Sequence, residues 1–287
     1  MKIDKILFSL SDHPDYQGFW ELQAKIWKEH MGIEPVCLFF PKDQNGYRPS
    51  EEHGLVIEQE IDPAVPWSLQ LTMSKFHFPE TEPDTTWLIG DIDMLPLQRD
   101  YFTAHLQDIP DHCFVHLNAG GLSCVRLGRN EGFVQGGSTH EGGCDLPGHY
   151  HVAKGSAFAR VINRGLSLKQ LVQEIVDADT HGMGPDAKRV GARPNPDEYW
   201  YYWCAEESRT SQLIWAAMKA GQCDFRPSYY HNGHNHDRIN RDSYDENAGY
   251  RENREKLRSG GFVDIHCARP FPKQAAQLQS ILDEVWK

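Results

Sequence analysis

Residues 86–97 read TWLIGDIDMLPL, and this stretch contains the sharpest feature of the sequence. Its first four side chains predict a short buried strand, which leads into Asp91 and Asp93 and stops at Pro96. Because side chains alternate along an extended segment, both carboxylates would point to the same side. In an open α/β sheet, ligands bind just beyond the carboxyl ends of the strands. The position therefore favours ligand binding over packing for the two acids.

The chain before this stretch alternates between strand-like and helix-like patterns. The apolar runs 5–10 (KILFSL) and 35–40 (PVCLFF) predict buried strands. The helix predicted between them ends near Met31 and is closed by Gly32. A strand–helix–strand order favours a parallel pair joined by a right-handed crossover. The sequence therefore predicts the α/β class, with a mixed, mainly parallel central sheet flanked by helices.

The rest of the chain also contains segments with helical or strand-like patterns. The clearest helix is predicted from Ser167 to Ala178, where Ser167 and Gln170 form a capping box. The polar segment 226–261 shows little periodicity and is predicted to be a long mobile loop or lid. The remaining predictions are strands at 55–61 and 262–266, and helices at 67–76, 206–220 and 273–286.

The composition excludes several classes of function. With 29 basic and 41 acidic residues among 287, the net charge is −12, which disfavours general binding to nucleic acids. No stretch approaches the ~20 apolar residues of a membrane-spanning helix, and the apolar run near the start is too short for a signal peptide. Seven cysteines without a CxxC pair are typical of free thiols in a reducing compartment. We therefore expect a cytoplasmic protein.

Asp91 and Asp93 are the strongest candidates for a functional site. Carboxylate oxygens are hard ligands, and two on one side of the chain can hold Mg²⁺ or Mn²⁺ together with a diphosphate. The alternative is a turn at the end of a strand with two solvated acids. The apolar strand before the pair and the proline after it favour the metal.

The stretch WLIGDIDMLPL, residues 87–97, resembles the DxD strand of the GT-A-fold glycosyltransferases. The order of the predicted elements before it also resembles that fold. The resemblance implies a nucleotide-sugar donor, a divalent metal and one GT-A-like (Rossmann-like) domain over residues 1–287. Residues 1–97 would bind the nucleotide-sugar, and residues 98–287 would bind the acceptor. It also implies that Asp91 and Asp93 bind the metal and, through it, the diphosphate of the donor.

A second stretch, VDIHCARPF at residues 263–271, resembles the C-terminal His-x-x-x-x-[Lys/Arg]-Pro-aromatic pattern of glycogenin-like and lipopolysaccharide galactosyltransferase-like families. In those families the histidine is the third metal ligand and the basic residue holds the diphosphate. The resemblance therefore implies a metal-binding role for His266 and a donor-binding role for Arg269. The spacing here is shorter, since Arg269 follows His266 by three residues, and the usual glycines are absent. The alternative is a half-buried strand histidine and a surface arginine.

Further donor-binding residues follow from the same resemblance. The segment HLNAGG, residues 116–121, resembles the Asn-Ala-Gly segment that lines the donor-sugar pocket, which implies a role for Asn118. An ordinary strand followed by a turn is the alternative. In this fold the end of the first strand holds the base and the ribose, which points to Ser9 and Asp12. Lys75 is expected to reach the same region.

A compact polar and aromatic stretch, residues 145–151, is the candidate for the acceptor side. Within it, Asp145, His149 and His151 could bond to or stack on an acceptor sugar. The alternative is a turn with solvated rings.

Glu206 and Glu207 are the candidates for a catalytic base. They follow an aromatic run and resemble the acidic acceptor-side motif in which inverting GT-A enzymes carry the base that deprotonates the acceptor hydroxyl. Acids also stabilise the N-terminus of a helix, which explains the pair without catalysis. The pattern around His266 favours retention of the anomeric configuration instead, so the sequence leaves the stereochemistry open.

The sequence therefore predicts a metal-dependent glycosyltransferase that moves a sugar from a nucleotide-sugar to a hydroxyl of a glycan or another polar acceptor. Mn²⁺ or Mg²⁺ would be the cofactor. A nucleotidyltransferase of related fold is one alternative, although residues 9–20 lack the glycine-rich phosphate loop that such enzymes carry. A non-catalytic glycan-binding module is the other, and it would not need the two acids and the histidine to converge.

Overall fold

The structure is a computed structural model, and the residues that it describes are 1–117, 146, 148–179, 205–227, 238–239, 241 and 254–286. Their strands are β1 (Lys5–Ser11), β2 (Glu34–Phe40), β3 (Leu55–Glu58), β4 (Thr86–Ile89), β5 (Met94–Pro96), β6 (Cys113–His116), β7 (His151–Lys154), β8 (Asp224–Pro227), β9 (Arg238–Ile239) and β10 (Asp264–His266). Their helices are α1 (Phe19–Lys25), α2 (Trp67–His77), α3 (Arg99–Thr103), α4 (Gly155–Phe158), α5 (Leu168–Asp179), α6 (Ala205–Lys219), α7 (Arg254–Arg258) and α8 (Phe271–Val285). Single π-helical turns extend α1 and α4, over Ile26–Met31 and Ala159–Asn163, and 3₁₀ turns extend α2 and α3, over Phe78–Thr81 and Ala104–Leu106.

The chain divides into two compact units. Unit 1 consists of Met1–Gln59, Gly90–Asp108 and His236–Lys287, and unit 2 consists of Glu60–Ile89 and Ile109–Asn235. Each unit is described by itself below. That the whole chain acts as one glycosyltransferase domain, divided after residue 97 into a donor half and an acceptor half, stays a prediction.

Unit 1 contains the parallel strands that the N-terminal sequence predicts. Its strand order is β3-β2-β1, and β1 pairs with β2 in a parallel register that sets Ile6 opposite Pro35. The crossover between them is α1 with its π-helical turn, which ends at Gly32 in the left-handed conformation (φ 69°). A parallel pair needs such a crossover, because a tight turn can join only antiparallel strands. A second sheet of unit 1 has the order β5-β10-β9.

Burial explains why β1 and β2 are almost continuously apolar. Leu7 and Phe8 are fully buried, and the ring of Phe8 meets that of Trp20 edge-on at 6.3 Å between centroids. The ring centroids of Phe19 in α1 and Phe271 in α8 lie 4.8 Å apart, so the start of α8 packs against α1. Each such side chain contributes about 1.5–3 kcal/mol by leaving water. This packing fixes the strand ends at which the polar residues lie.

Unit 2 contains strands in the order β4-β7-β6-β8. The pairs β4–β7 and β6–β7 are antiparallel, and β6–β8 is parallel. Helix α2 packs against both α5 and α6. Together with the parallel pairs β1–β2 and β2–β3, these strands confirm the predicted α/β class with a mixed, mainly parallel central sheet flanked by helices.

The predicted capping box is confirmed. The backbone N–H of Ser167 donates to Oε1 of Gln170 at 2.9 Å, and the backbone N–H of Gln170 donates to Oγ of Ser167 at 3.3 Å. The two reciprocal bonds satisfy donors that the first turn of α5 would otherwise leave unpaired. Of the helices in the described ranges, none has both the length and the apolar character needed to cross a membrane.

The acidic stretch differs from the prediction. Strand β4 ends at Ile89, and residues 91–94 form a turn that is closed by a 3.0 Å bond from the N–H of Met94 to the carbonyl of Asp91. A Cβ on Gly90 would lie 2.4 Å from the ring of Phe8, so only glycine allows the chain to pass there. The expected extended alternation is therefore wrong. A strand does end at Pro96, but it is the separate edge strand β5 and not a continuation of β4.

The polar segment 226–261 contains regular structure in its described parts. Strand β9 pairs with β10, and α7 begins at Arg254. The predicted free thiols are confirmed for Cys37, Cys113, Cys223 and Cys267, which are all buried. The other three cysteines of the sequence lie outside the described residues.

Candidate functional site

The candidate site lies in unit 1, where the turn after β4 meets the end of β10. Strand β10 pairs with β5 so that His266 is opposite Met94, the residue after Asp93. The N–H of Cys267 donates to the carbonyl of Asp93 at 2.8 Å. Backbone pairing thus joins two segments that are far apart in the sequence. These two segments carry the DxD-like and the C-terminal motifs.

Three side chains that the sequence singled out converge at this point. Oδ2 of Asp93 lies 3.8 Å from Nε2 of His266 and 3.7 Å from Nε of Arg269. The side chains of Asp93 and Arg269 are 12% and 16% exposed. The arginine is therefore not an ordinary surface residue. The group can present a carboxylate, an imidazole and a guanidinium to one small ligand.

The charge of Asp93 is costly in this position. Burial raises the pKa of Asp93 above its usual range, and the neighbouring charge of Asp91 raises it further. Arg269 and Arg241 oppose this rise. Because the folded chain disfavours the charged carboxylate, a bound cation would stabilise it.

The donor set fits a divalent cation. Two carboxylates and an imidazole suit Mn²⁺, which accepts both oxygen and nitrogen ligands. Ligand atoms about 2 Å from one ion lie about 3–3.5 Å apart, so the 3.8 Å between Asp93 and His266 needs only a small side-chain rotation to share an ion. Asp93 and His266 are therefore close enough to share an ion, whereas a ligand role for Asp91 stays a prediction.

Arg241 is a site residue that the sequence analysis missed. Its Nη2 is in contact with Nε2 of His266, and its charge lowers the pKa of Asp93. It follows β9, which is only two residues long and gives no periodic signal. Arg241 and Arg269 place two guanidinium groups beside the acids, and guanidinium groups match phosphate oxygens in bidentate fashion.

A partly buried ion pair connects β9, the strand before Arg241, to β10. Asp264 is fully buried, and its two oxygens accept bonds of 2.7 Å each from Nε and Nη2 of Arg238. The two residues are register partners in the parallel pair β9–β10. The bidentate pair therefore fixes β9 against β10, next to His266.

Tyr16 orients the guanidinium of Arg269 by a hydrogen bond and a ring contact. Nη1 of Arg269 donates to the hydroxyl of Tyr16, and the guanidinium lies 5.1 Å from the centre of the tyrosine ring. An arginine above an aromatic face gains a cation–π attraction and loses rotational freedom. The guanidinium is thus oriented before any ligand arrives.

Gln23 holds the turn of residues 91–94 through its side-chain amide. It is fully buried in α1, and its Nε2 donates to the carbonyls of Ile92 at 3.0 Å and Met94 at 2.8 Å. Nε1 of Trp27 donates to its Oε1 at 3.0 Å. The sequence contains one signal for this role. Gln23 lies four residues after Phe19 and four before Trp27, so it falls on the buried face of the helix although it is polar.

We expect Gln23→Leu to loosen this turn. The substitution leaves two buried carbonyls without their donor, which should lower the free energy of unfolding by about 1–3 kcal/mol. It should also weaken Mn²⁺ binding by at least about tenfold, as is usual when the support of a metal ligand is removed. Denaturant unfolding and isothermal titration calorimetry measure the two effects.

Gln70→Leu is the matched control. Gln70 is also buried, and its Nε2 donates to the carbonyls of Asp62 at 2.8 Å and Val65 at 2.9 Å, in unit 2. Its loss should lower stability similarly but leave Mn²⁺ affinity unchanged. Equal metal affinity in the two variants would show that Gln23 has no part in positioning the acids.

The predicted donor-binding residues outside this group have other contacts. Asp12 is fully buried, and its Oδ1 accepts the N–H of Asp43 at 2.8 Å, which holds the loop after β2. Ser9 is half-buried in β1, and Lys75 is buried in α2 of unit 2. Asn118 lies outside the described residues. Their roles in binding the donor stay predictions.

The predicted acceptor and base residues belong to unit 2, and their roles also stay predictions. Oε1 of Glu207 accepts the N–H of Gly148 at 2.8 Å, and Glu206 is half-buried in the same turn of α6. His149 is buried, with its ring edge-on to that of Tyr150.

His151 is fully buried, and its ring contacts those of Phe76 and Phe114. Asp145 lies outside the described residues.

Comparison with known proteins finds similarity only at the level of structure. No family model matches the sequence, and no protein of curated function matches it. Among solved structures, the chain is similar to the galactosyltransferase LgtC in complex with donor and acceptor sugar analogues. The identity is 12%, the match covers 99% of this chain and 96% of LgtC, and the TM-score is 0.46.

The chain is also similar to the glycosyltransferase GlyE of Streptococcus pneumoniae TIGR4. The identity is 10%, the match covers 93% of this chain and 55% of GlyE, and the TM-score is 0.40. Both neighbours are glycosyltransferases, the class that the sequence motifs resemble. Identities of this size transfer no residue role, so the function must be inferred from the geometry of the site.

Proposed function

We propose that the chain is a metal-dependent glycosyltransferase that moves a sugar from a nucleotide-sugar to a hydroxyl of a glycan or another polar acceptor. The observation that carries this proposal is the convergence of Asp93, His266 and Arg269, with 3.8 Å and 3.7 Å separating the carboxylate from the two bases. Each residue comes from a motif that resembles a donor-binding motif of the GT-A enzymes. We also propose a reducing, cytoplasmic location, which the buried free thiols support.

In this proposal, Asp91, Asp93 and His266 hold the divalent ion. When bound, such an ion would supply positive charge against the departing diphosphate. Arg269, held by Tyr16, and Arg241 bind the phosphate oxygens from the protein side. The buried position of Asp93 excludes water and so strengthens these electrostatic interactions.

The remaining residues complete the proposal on the acceptor side. Glu206 or Glu207 would accept the proton of the attacking hydroxyl, as a general base must. Asp145, His149 and His151 would bind the acceptor.

On the donor side, Ser9, Asp12 and Lys75 would bind the nucleotide, and Asn118 would bind the donor sugar.

The test is turnover of a panel of UDP- and GDP-sugars, with water and with simple glycans as acceptors. We expect one donor to release a nucleoside diphosphate in Mn²⁺ but not in EDTA. Release of a sugar 1-phosphate would indicate nucleotidyl transfer instead. Metal-independent glycan binding without turnover would indicate a glycan-binding module, and either result overturns the proposal.

Arg269→Leu should raise the KM for the donor by at least about tenfold, because a charge-assisted bond to phosphate contributes about 1.5–3 kcal/mol. Arg258→Leu is the matched control, since Arg258 is 59% exposed on α7 and pairs only loosely with Glu284 at 3.5 Å. Its kinetics should be unchanged. Equal donor KM values in the two variants would exclude a phosphate-binding role for Arg269.

A further inference from the structure

Unit 2 contains a second group of metal-ligating side chains, which the proposed function does not use. Strands β6 and β8 pair in a parallel register that sets Cys113 opposite Asp224. The thiol of Cys113 donates to Oδ2 of Asp224 at 3.6 Å, and Nε2 of His112 lies 3.9 Å from the same oxygen. The sulfur, nitrogen and oxygen all lie within 4.8 Å of one another.

The spacing of these atoms suits a tetrahedral ion. Ligand atoms about 2.0–2.3 Å from a zinc ion lie about 3.3–3.8 Å from one another. The distances of 3.6 Å and 3.9 Å therefore need little adjustment. A thiolate, an imidazole and a carboxylate are three protein ligands of the kinds that zinc takes, and they leave a fourth position for water. The sulfur also distinguishes the group from the site at Asp93, because Mg²⁺ and Mn²⁺ prefer oxygen ligands.

We propose that His112, Cys113 and Asp224 form a binding site for a thiophilic divalent cation, with Zn²⁺ as the best fit. Zinc binding breaks the S–H bond of Cys113 and releases that proton to water, since the thiolate is the ligand. The strand pair fixes two of the ligands in advance. The third, His112, has a side chain that is 70% exposed, which gives the ion access from solvent.

Arg226 competes with the ion for Asp224. Its Nη2 lies 2.8 Å from Oδ2 of Asp224, and its side chain is 56% exposed. The guanidinium therefore has room to withdraw when the ion binds. While it remains, it neutralises the carboxylate and lowers the affinity for a cation. Arg226→Gln should consequently tighten zinc binding severalfold, the opposite of what the loss of a ligand would do.

The test is titration of the full chain with Co²⁺, followed by displacement with Zn²⁺. We expect a sulfur-to-cobalt charge-transfer absorption that zinc abolishes. His112→Ala, at an exposed position, should weaken binding by at least about tenfold. Cys113→Ser should lose the absorption, whereas Cys37→Ser, which removes a buried thiol of unit 1, should retain it.

Two results would overturn the proposal. One is a thiolate absorption that persists in Cys113→Ser, which would place the sulfur ligand elsewhere. The other is an unchanged affinity in both His112→Ala and Arg226→Gln. The titrations should also be run on Asp93→Asn, in which the proposed donor site is removed. The sulfur-to-cobalt absorption and its displacement by zinc should be unchanged in this variant, so the outcome does not depend on the glycosyltransferase proposal.

Discussion

Asp93→Asn should abolish metal-dependent donor binding and at the same time make the metal-free protein more stable. The amide keeps the size of the carboxylate but removes the charge that would hold the cation, so donor affinity in Mn²⁺ should fall by at least about 100-fold. In EDTA, the free energy of unfolding should rise, because burial and Asp91 disfavour the charged form of Asp93. Calorimetry with the donor and denaturant unfolding measure the two effects.

The stability gain should depend on pH in a defined direction. A carboxyl whose pKa is raised by folding destabilises the folded chain at pH values above that raised pKa. Below the ordinary aspartate pKa of about 3.9 the group is protonated in both states, and its cost disappears. The difference between wild type and Asp93→Asn should therefore be present at neutral pH and vanish on acidification.

Asp108→Asn makes the same chemical change at an exposed position of unit 1. Its stability should match wild type within about 0.5 kcal/mol, and its donor affinity should be unchanged. If Asp93→Asn instead kept its metal-dependent affinity, or was less stable than wild type in EDTA, the electrostatic description of the site would be wrong.

Arg238→Leu should produce the largest loss of stability. The fully buried Asp264 would lose both of its 2.7 Å bonds to the guanidinium. Breaking a buried pair by removing one partner costs about 3–5 kcal/mol, because it leaves an uncompensated charge. Loss of β9 should also withdraw Arg241 from His266, so donor affinity should fall as well. Denaturant unfolding and calorimetry measure both changes.

Two further variants distinguish the loss of the Arg238–Asp264 pair from the loss of an ordinary ion pair. Lys169→Met removes an exposed ion pair to Asp62 at 2.9 Å, and its effect on stability should be small, because water screens an exposed pair. Replacing both Arg238 and Asp264 by leucine should recover much of the loss, since no buried charge remains unpaired. If Arg238→Leu lowered the free energy of unfolding no more than Lys169→Met, the ion pair with Asp264 would not be what holds β9.

The elements that the sequence predicts well are those with local signals. The apolar runs of β1 and β2, the glycine at the end of the first helix and the capping box of α5 are all confirmed. Each depends on residues within a few positions of one another. Parallel pairing then follows, because a strand–helix–strand order leaves few other arrangements.

The elements that the sequence does not predict depend on tertiary contacts. The turn at Asp91 follows Gly90, whose close approach to the ring of Phe8 no local pattern reveals. Arg241 follows the two-residue strand β9, and both the pairing of β9 with β10 and the ion pair of Arg238 with Asp264 are tertiary contacts that no local pattern reveals. His266 was found through a resemblance, and its approach to Asp93 depends on the pairing of β10 with β5.

The most direct test of the account is the affinity of the preferred nucleotide-sugar in Mn²⁺ and in EDTA, measured by calorimetry on wild type and on His266→Ala. We expect Mn²⁺ to strengthen donor binding in wild type, and the donor to strengthen Mn²⁺ binding by the same factor, as linkage requires. The factor should shrink in His266→Ala. Donor affinity that is the same in Mn²⁺ and in EDTA would contradict a metal site at Asp93 and His266.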